Sequence, residues 1–437
     1  MNRSTTSMHR AFATLLCSLS LGACVIETGE KGDDNGSATR RCAGDNGSLE
    51  LPPGFCATIF AEDLGKARHI TVSPGGIVFV ATADSGVIAL RDDDDDGVAD
   101  HQSSFGDAGG NGIAWYEGYL YFAQDEQIVR WALEDDEMTP NDDAEIVVSG
   151  LVATGDHMNK SIAIANDGAL LVNIGSATNA CQLENREPGS LGIDPCPELA
   201  IRAGIWRFVP GELPRVASDG EHYASGIRNA VALAIEPLTG ALVTVSNGRD
   251  QLYENWPELY SAADDLRLPS EELRVVEQGA DYGWPYCYHD PDLGRMLLAP
   301  EYGGDGLIMD RCADVVAPEQ VFGAHWAPLG MHFYGGRMFP SRYRGGAFVA
   351  FHGSRFAPNA TGELPGYSVV FVPFDGGEPT GDHETFATDF AGSARPLPDE
   401  AEHRPVGLAE APDGSLYIGD DHGGRIWRVY YDEGTTP

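Results

Sequence analysis

Ile70-Thr71-Val72-Ser73-Pro74-Gly75-Gly76-Ile77-Val78-Phe79-Val80 decides the fold. β-branched and aromatic residues fill both ends, as strands prefer, and Gly75-Gly76 supplies the positive φ of a tight hairpin. The same grammar returns around Glu117-Gly118 in 112–122, Asn166-Asp167-Gly168 in 161–174 and Leu238-Thr239-Gly240 in 231–245. It returns again in 330–351, with Tyr343-Arg344-Gly345 inserted, and around Pro412-Asp413-Gly414 in 406–418. A further strand often follows, such as Val87-Ile88-Ala89-Leu90, Gly204-Ile205-Trp206-Arg207-Phe208 or Arg425-Ile426-Trp427-Arg428-Val429-Tyr430. No long stretch carries a helical period. Six such units predict an all-β chain folded as a six-bladed β-propeller, with a pair of β-sandwiches as the alternative. In a propeller the channel mouth is where ligands are expected.

The chain has 437 residues, of which 42% are hydrophobic, enough for a packed core. Its formal net charge of −39 repels phosphate backbones and argues against nucleic acid as a partner. At the N-terminus, Arg3 and Arg10 flank a basic region, and a short apolar run leads into Leu21-Gly22-Ala23-Cys24. The run is too short to span a membrane and reads as an export signal. Leu, two small residues and Cys resemble the bacterial lipobox, which implies cleavage before Cys24 and lipidation of its thiol. An ordinary signal peptide cut nearby is the alternative. The expected organisation is a signal over 1–23, a flexible polar tether over 24–48 and the propeller over 49–437. The mature protein would be an exported, membrane-anchored lipoprotein facing the periplasm or the cell surface. Six further cysteines suit an oxidising compartment, and sequence neighbours suggest Cys42–Cys56, Cys181–Cys196 and Cys287–Cys312 among fifteen possible connectivities.

Three segments next to strands offer chemistry. Asp156-His157 precedes the third unit, where an imidazole can act as a base or be merely structural. Gly226-Ile227-Arg228-Asn229 holds the same place before the fourth unit, and its guanidinium suits an anionic ligand or an inter-blade ion pair. Ser246-Asn247-Gly248-Arg249-Asp250 is either a carbonyl-bearing cation loop or a plain turn. A separate signal is the run Asp92 to Asp96. Asp92, Asp94, Asp96, Gly97 and Asp100 match positions of a DxDxDG calcium loop, but Ser103 stands where the bidentate Glu belongs. We expect a structural ion there, against the alternative of a solvated acidic turn. No GxSxG, HExxH, P-loop or CxxCH motif is present.

Several short motifs occur in a familiar order: Leu51-Pro52-Pro53-Gly54-Phe55, Ser225-Gly226-Ile227-Arg228-Asn229, Asn247-Gly248-Arg249-Asp250 and Tyr282-Gly283-Trp284-Pro285. Ala327-Pro328-Leu329-Gly330, Phe351-His352-Gly353-Ser354 and Arg404-Pro405-Val406-Gly407 follow. Together they resemble the glucose/sorbosone dehydrogenase family, most of all its sorbosone branch. The resemblance implies a six-bladed propeller holding pyrroloquinoline quinone (PQQ) and calcium at the channel mouth. It implies oxidation of a sugar hydroxyl or aldehyde hydrate, with electrons leaving to a cytochrome or a small quinone. It makes His157 the base, with Asp156 orienting it. Arg228, Asn229 and Arg404 become cofactor contacts, and Gly248 and Arg249 the calcium loop. Arg274 stands where the family usually has Asn, and 253–270 is an insert. A non-catalytic carbohydrate- or protein-binding propeller and a calcium-dependent lactonase remain the alternatives.

Overall fold

In the computed structural model, the described residues are 42–355, 365–392 and 398–432. They form six blade sheets, plus two two-stranded ribbons. Blade one is the antiparallel sheet Ala67–Val72, Val78–Thr82, Gly86–Arg91 and His101–Phe105, built on the hairpin around Gly75-Gly76. Blades two to five start with the innermost strands Gly110–Tyr116, Lys160–Ile164, Ala232–Ile235 and Pro328–Phe333. Blade six is Pro405–Glu410, Leu416–Asp420 and Ile426–Tyr431, and its outer strand comes from the other end of the domain, Phe55–Ala61. The innermost strands neighbour one another in a closed cycle, so the ring is complete.

The second strands explain why the blades stack. Val78–Thr82, Leu170–Ile174, Leu242–Ser246 and Ala347–Phe351 are buried along their whole length. A strand covered on both faces reads as a continuous apolar run rather than an alternating one. Closure of the ring is sealed by Phe55, whose ring meets Phe339, Phe386 and Tyr343 edge-on at 4.8, 5.0 and 5.5 Å.

The three expected disulfides are present, Cys42–Cys56, Cys181–Cys196 and Cys287–Cys312. The first begins at Cys42, within the stretch expected as tether. It ties Cys42 to the outer strand of blade six, and the Trp427 indole donates to Gly47 O at 2.9 Å. The signal over 1–23, Cys24 and most of the tether lie outside the described residues.

Candidate active site

The mouth of the ring is built by residues that lead into the innermost strands. His157 comes just before Lys160–Ile164, Arg228 and Asn229 before Ala232–Ile235, His325 before Pro328–Phe333, and Arg404 before Pro405–Glu410. All of them line one cavity of 490 Å³, with Arg186, Asp250, Glu271, His352 and Arg355. Gly226 makes this possible for Arg228. It sits at φ +70, and a Cβ there would lie 2.1 Å from Asp281 Oδ1 and 2.5 Å from Gly283 N. Only glycine fits so close a crossing.

His157 is held through Nδ1, which lies 3.0 Å from both the carbonyl oxygen and the hydroxyl of Ser176. A carbonyl only accepts, and the Ser176 hydroxyl donates its own proton to Thr178 O at 2.7 Å. Nδ1 therefore carries the hydrogen, and Nε2 presents a lone pair. Burial, with the positive charge of Arg228, pulls the imidazole pKa down to about 3, so the ring is neutral. Asp156 does not orient it, contrary to expectation. Its carboxylate accepts from Arg186 Nε at 3.0 Å and Asn185 Nδ2 at 3.4 Å. A fixed cation from the loop bridged by Cys181–Cys196 outcompetes a neutral ring.

Arg228 is 5% exposed and nearly saturated. It donates to Asn179 O at 3.2 Å, Asn179 Oδ1 at 3.0 Å, Gly248 O at 2.7 Å and Asp250 Oδ2 at 3.3 Å. One of its five N–H groups, on Nη1, is left over among the described residues. Asn229 accepts from Asn173 Nδ2 at 3.1 Å, which leaves its own Nδ2 available. Arg404 donates to His352 O at 3.1 Å and Gly353 O at 2.5 Å and keeps Nη1.

Asp250 is the hub. Its Oδ2 lies 3.2 Å from Arg186, 3.3 Å from Arg228 and 3.2 Å from Arg355. Burial opposes its charge, but Arg228, His325 and Arg355 hold the carboxyl well below the ordinary range. Beside it, Glu271 accepts from Gly248 N at 2.6 Å and Ala327 N at 3.1 Å. Burial nevertheless lifts its pKa to about 7. The insert reaches the site as well, because His325 Nε2 donates to Asp265 O at 2.7 Å.

Of the expected calcium-loop residues, Gly248 lines the cavity, but its carbonyl already accepts from Arg228. The Arg249 guanidinium turns away into a buried ion pair with Glu301. Arg274 pairs with Glu272 at 2.7 Å and lies over Tyr282, outside this cavity. Asp92, Asp94 and Asp100 gather on the edge of blade one without Asp96, whose Oδ1 accepts from Val98 N at 2.9 Å. The reading missed Arg186, Glu271 and His325. His325 was findable, since it holds the place before blade five that His157 holds before blade three. Nothing local marks Arg186 or Glu271.

Solved structures share the fold. The Trichoderma reesei carbohydrate-active enzyme of family AA12, in iodide and calcium structures, aligns with TM-scores of 0.73 and 0.71 at 23% and 22% identity. Both cover 88% of this chain, and 98% and 97% of theirs. The holo form of the pyranose dehydrogenase PQQ domain from Coprinopsis cinerea aligns at 0.71 and 20% identity, over 87% of this chain and 97% of its own. Among curated proteins, an uncharacterized protein of Borreliella burgdorferi is 29% identical over 220 residues, 49% of each chain. This chain thus spans about half the length of that relative. The profile of one sequence family matches residues 49–432, which is the whole propeller. The chain belongs to the TrAA12-like family of pyrroloquinoline quinone-dependent oxidoreductases.

Proposed function

We propose that this protein oxidises a sugar or a sugar-derived aldehyde at the channel mouth, with PQQ as the hydride acceptor. The observation that carries the reading is a neutral His157 with Nε2 bare, in a cavity that it shares with four arginines. The cavity fits the cofactor by size, since small-molecule sites run roughly 300–1,000 Å³. It fits by charge too. Arg186, Arg228, Arg355 and Arg404 outnumber Asp156, Asp250 and Glu271 there, in a chain whose net charge is −39. A flat tricarboxylate finds donors on Arg186 Nη2, Arg228 Nη1, Arg404 Nη1 and Asn229 Nδ2. Calcium would accompany it on the backbone carbonyls of Gly248 and Arg249, the former with one lone pair left beside its bond to Arg228.

When bound, PQQ supplies a two-electron centre that accepts hydride. His157 Nε2 takes the substrate hydroxyl proton as the carbon loses hydride. Ser176 holds the tautomer that leaves Nε2 basic. The Arg228 charge, fixed by Asn179 and Asp250, stabilises negative charge that grows at the mouth. The names of the similar structures support a carbohydrate substrate, pyranose among them. The sorbosone-like motifs keep sugar-derived aldehydes in the class. Electrons would pass to a separate acceptor, a cytochrome or a small quinone. Export belongs to the same proposal and is supported by the three disulfides, whereas a lipid on Cys24 rests on Leu21-Gly22-Ala23-Cys24 alone.

The test is dye-linked oxidation of a panel of aldoses and sorbosone by the PQQ-loaded protein. His157→Ala should lose roughly 10²–10⁴-fold in kcat while still binding PQQ. Turnover that survives this change removes His157 from the base role.

A further inference from the structure

The acidic turn of blade one plays no part in the cavity described above. We propose that Asp92, Asp94 and Asp100 form a second divalent-cation site, for calcium by ligand chemistry, which fastens blade one to the ring-closing blade six. Each of the three offers a carboxylate oxygen, and these oxygens lie within 4.8 Å of one another. Crowded exposed carboxylates are common and mean little alone. Here Asp92 differs, because its side chain is only 5% exposed and its Oδ1 is buried with no hydrogen-bond partner. A buried carboxylate oxygen without a donor is costly, by about 1–3 kcal/mol or more for a charged group, and a solvated acidic turn does not relieve it.

The other oxygens are already spoken for. Asp92 Oδ2 accepts from Gly97 N at 3.0 Å and from Arg428 at 2.9 Å. Asp94 Oδ1 accepts from Asp96 N at 3.2 Å, and Asp100 Oδ2 from Asp93 N at 2.7 Å. Among the described residues, that leaves one oxygen of each carboxylate without a donor. Arg428 offsets one negative charge of the three, while Arg91 and His101 are engaged with Asp93. An all-oxygen set of irregular spacing suits calcium better than magnesium, which demands a tighter octahedron. Ser103, at the position of the missing bidentate Glu, lies in the strand His101–Phe105 opposite Ala89, so water must complete the shell. Affinity in the weak range, on the order of 10⁻⁵–10⁻³ M, is expected.

The position gives the ion a structural role. Thr58 Oγ1, on the outer strand of blade six, donates to Gly97 O at 2.9 Å, and Ala99 N donates to Phe60 O at 2.9 Å. Gly97 sits at φ +92, where a Cβ would lie 2.6 Å from the Tyr430 hydroxyl. Asp92 itself reaches Arg428 on the neighbouring strand. A cation on the turn would therefore hold the seam where the two ends of the domain meet.

The inference does not depend on PQQ and is tested without it. The full mature chain is stripped with chelator, and bound calcium and Tm are measured across a calcium titration. Wild type should gain roughly 3–5 °C at calcium a hundredfold above its Kd. Asp94→Asn with Asp100→Asn should bind one calcium fewer and lose that gain, while keeping the wild-type circular dichroism. Equal stoichiometry and equal Tm gain in wild type and variant would overturn the site, as would a wild-type Tm indifferent to calcium. If the double variant does not fold, Asp100→Asn alone is read in the same way.

Discussion

Replacing Asp250 with alanine should strand the buried Arg228 and take a partner from the half-buried Arg186. Its Oδ2 lies 3.3 Å from Arg228, 3.2 Å from Arg186 and 3.2 Å from Arg355. At an effective dielectric of about 20, each contact is worth about 5 kcal/mol before desolvation is counted. Arg355 is 64% exposed, so its contact counts for little. Arg228 is the decisive partner, because at 5% exposure little solvent reaches it to replace the lost charge. Breaking one side of a buried pair typically destabilises by about 3–5 kcal/mol, and we expect that range for Asp250→Ala. Asp250→Asn keeps an acceptor but not the charge and should fall between the variant and wild type. Equilibrium denaturation at pH 7 measures both, with circular dichroism confirming a folded β-sheet at the start. A loss below about 1 kcal/mol in Asp250→Ala would refute the hub, since it would mean that Arg228 is already satisfied by Asn179 and Gly248 alone.

Other expectations follow from the same geometry. Asp156→Asn should lower kcat less than about 10-fold, because Ser176 and not Asp156 holds His157, and a loss matching that of His157→Ala would restore the carboxylate to the orienting role. Burial lowers His69 to about 4 and His157 to about 3, so both stay neutral in the folded state where the unfolded chain takes up protons. Their contribution is fully present above about pH 6.5 and is lost as pH falls toward 4, by roughly 2–3 kcal/mol each. His69→Gln should therefore flatten the Tm profile between pH 6.5 and 4, and an unchanged slope contradicts the assignment. Gly226→Ala should destabilise by at least about 3 kcal/mol and weaken anion binding at the mouth, since the new Cβ meets Asp281 and Gly283. A stable variant with intact anion binding would show that the crossing can relax.

The blades were legible because their signal is local. A Gly-centred turn between two apolar runs needs only about ten residues, and each hairpin found in the sequence is a hairpin in the ring. The disulfides were legible for a similar reason, with partners only 14, 15 and 25 residues apart. Ring closure was not, because Phe55–Ala61 pairs with Ile426–Tyr431 from the far end of the domain. The site divides the same way. His157, Arg228 and Arg404 stand at equivalent places before innermost strands, and repetition marks them. The charges that hold them come from elsewhere, such as Arg186 on a disulfide-bridged loop and Glu271 at the start of a third strand. Asp156 shows the limit of adjacency, since a neighbour in sequence turns to a stronger partner in space. In the acidic turn, Asp92, Asp94 and Asp100 come together in space, and Asp96 does not.

The central claim is that the cavity beside His157 binds a quinone and passes substrate electrons to it. Titrating the purified mature chain with PQQ in calcium, while following both cofactor absorbance and sugar-dependent dye reduction, tests this most directly. The account predicts saturable one-to-one binding and turnover with at least one aldose or sugar-derived aldehyde. Absence of PQQ binding in calcium would contradict it and turn the same cavity into a carbohydrate- or protein-binding mouth without redox chemistry.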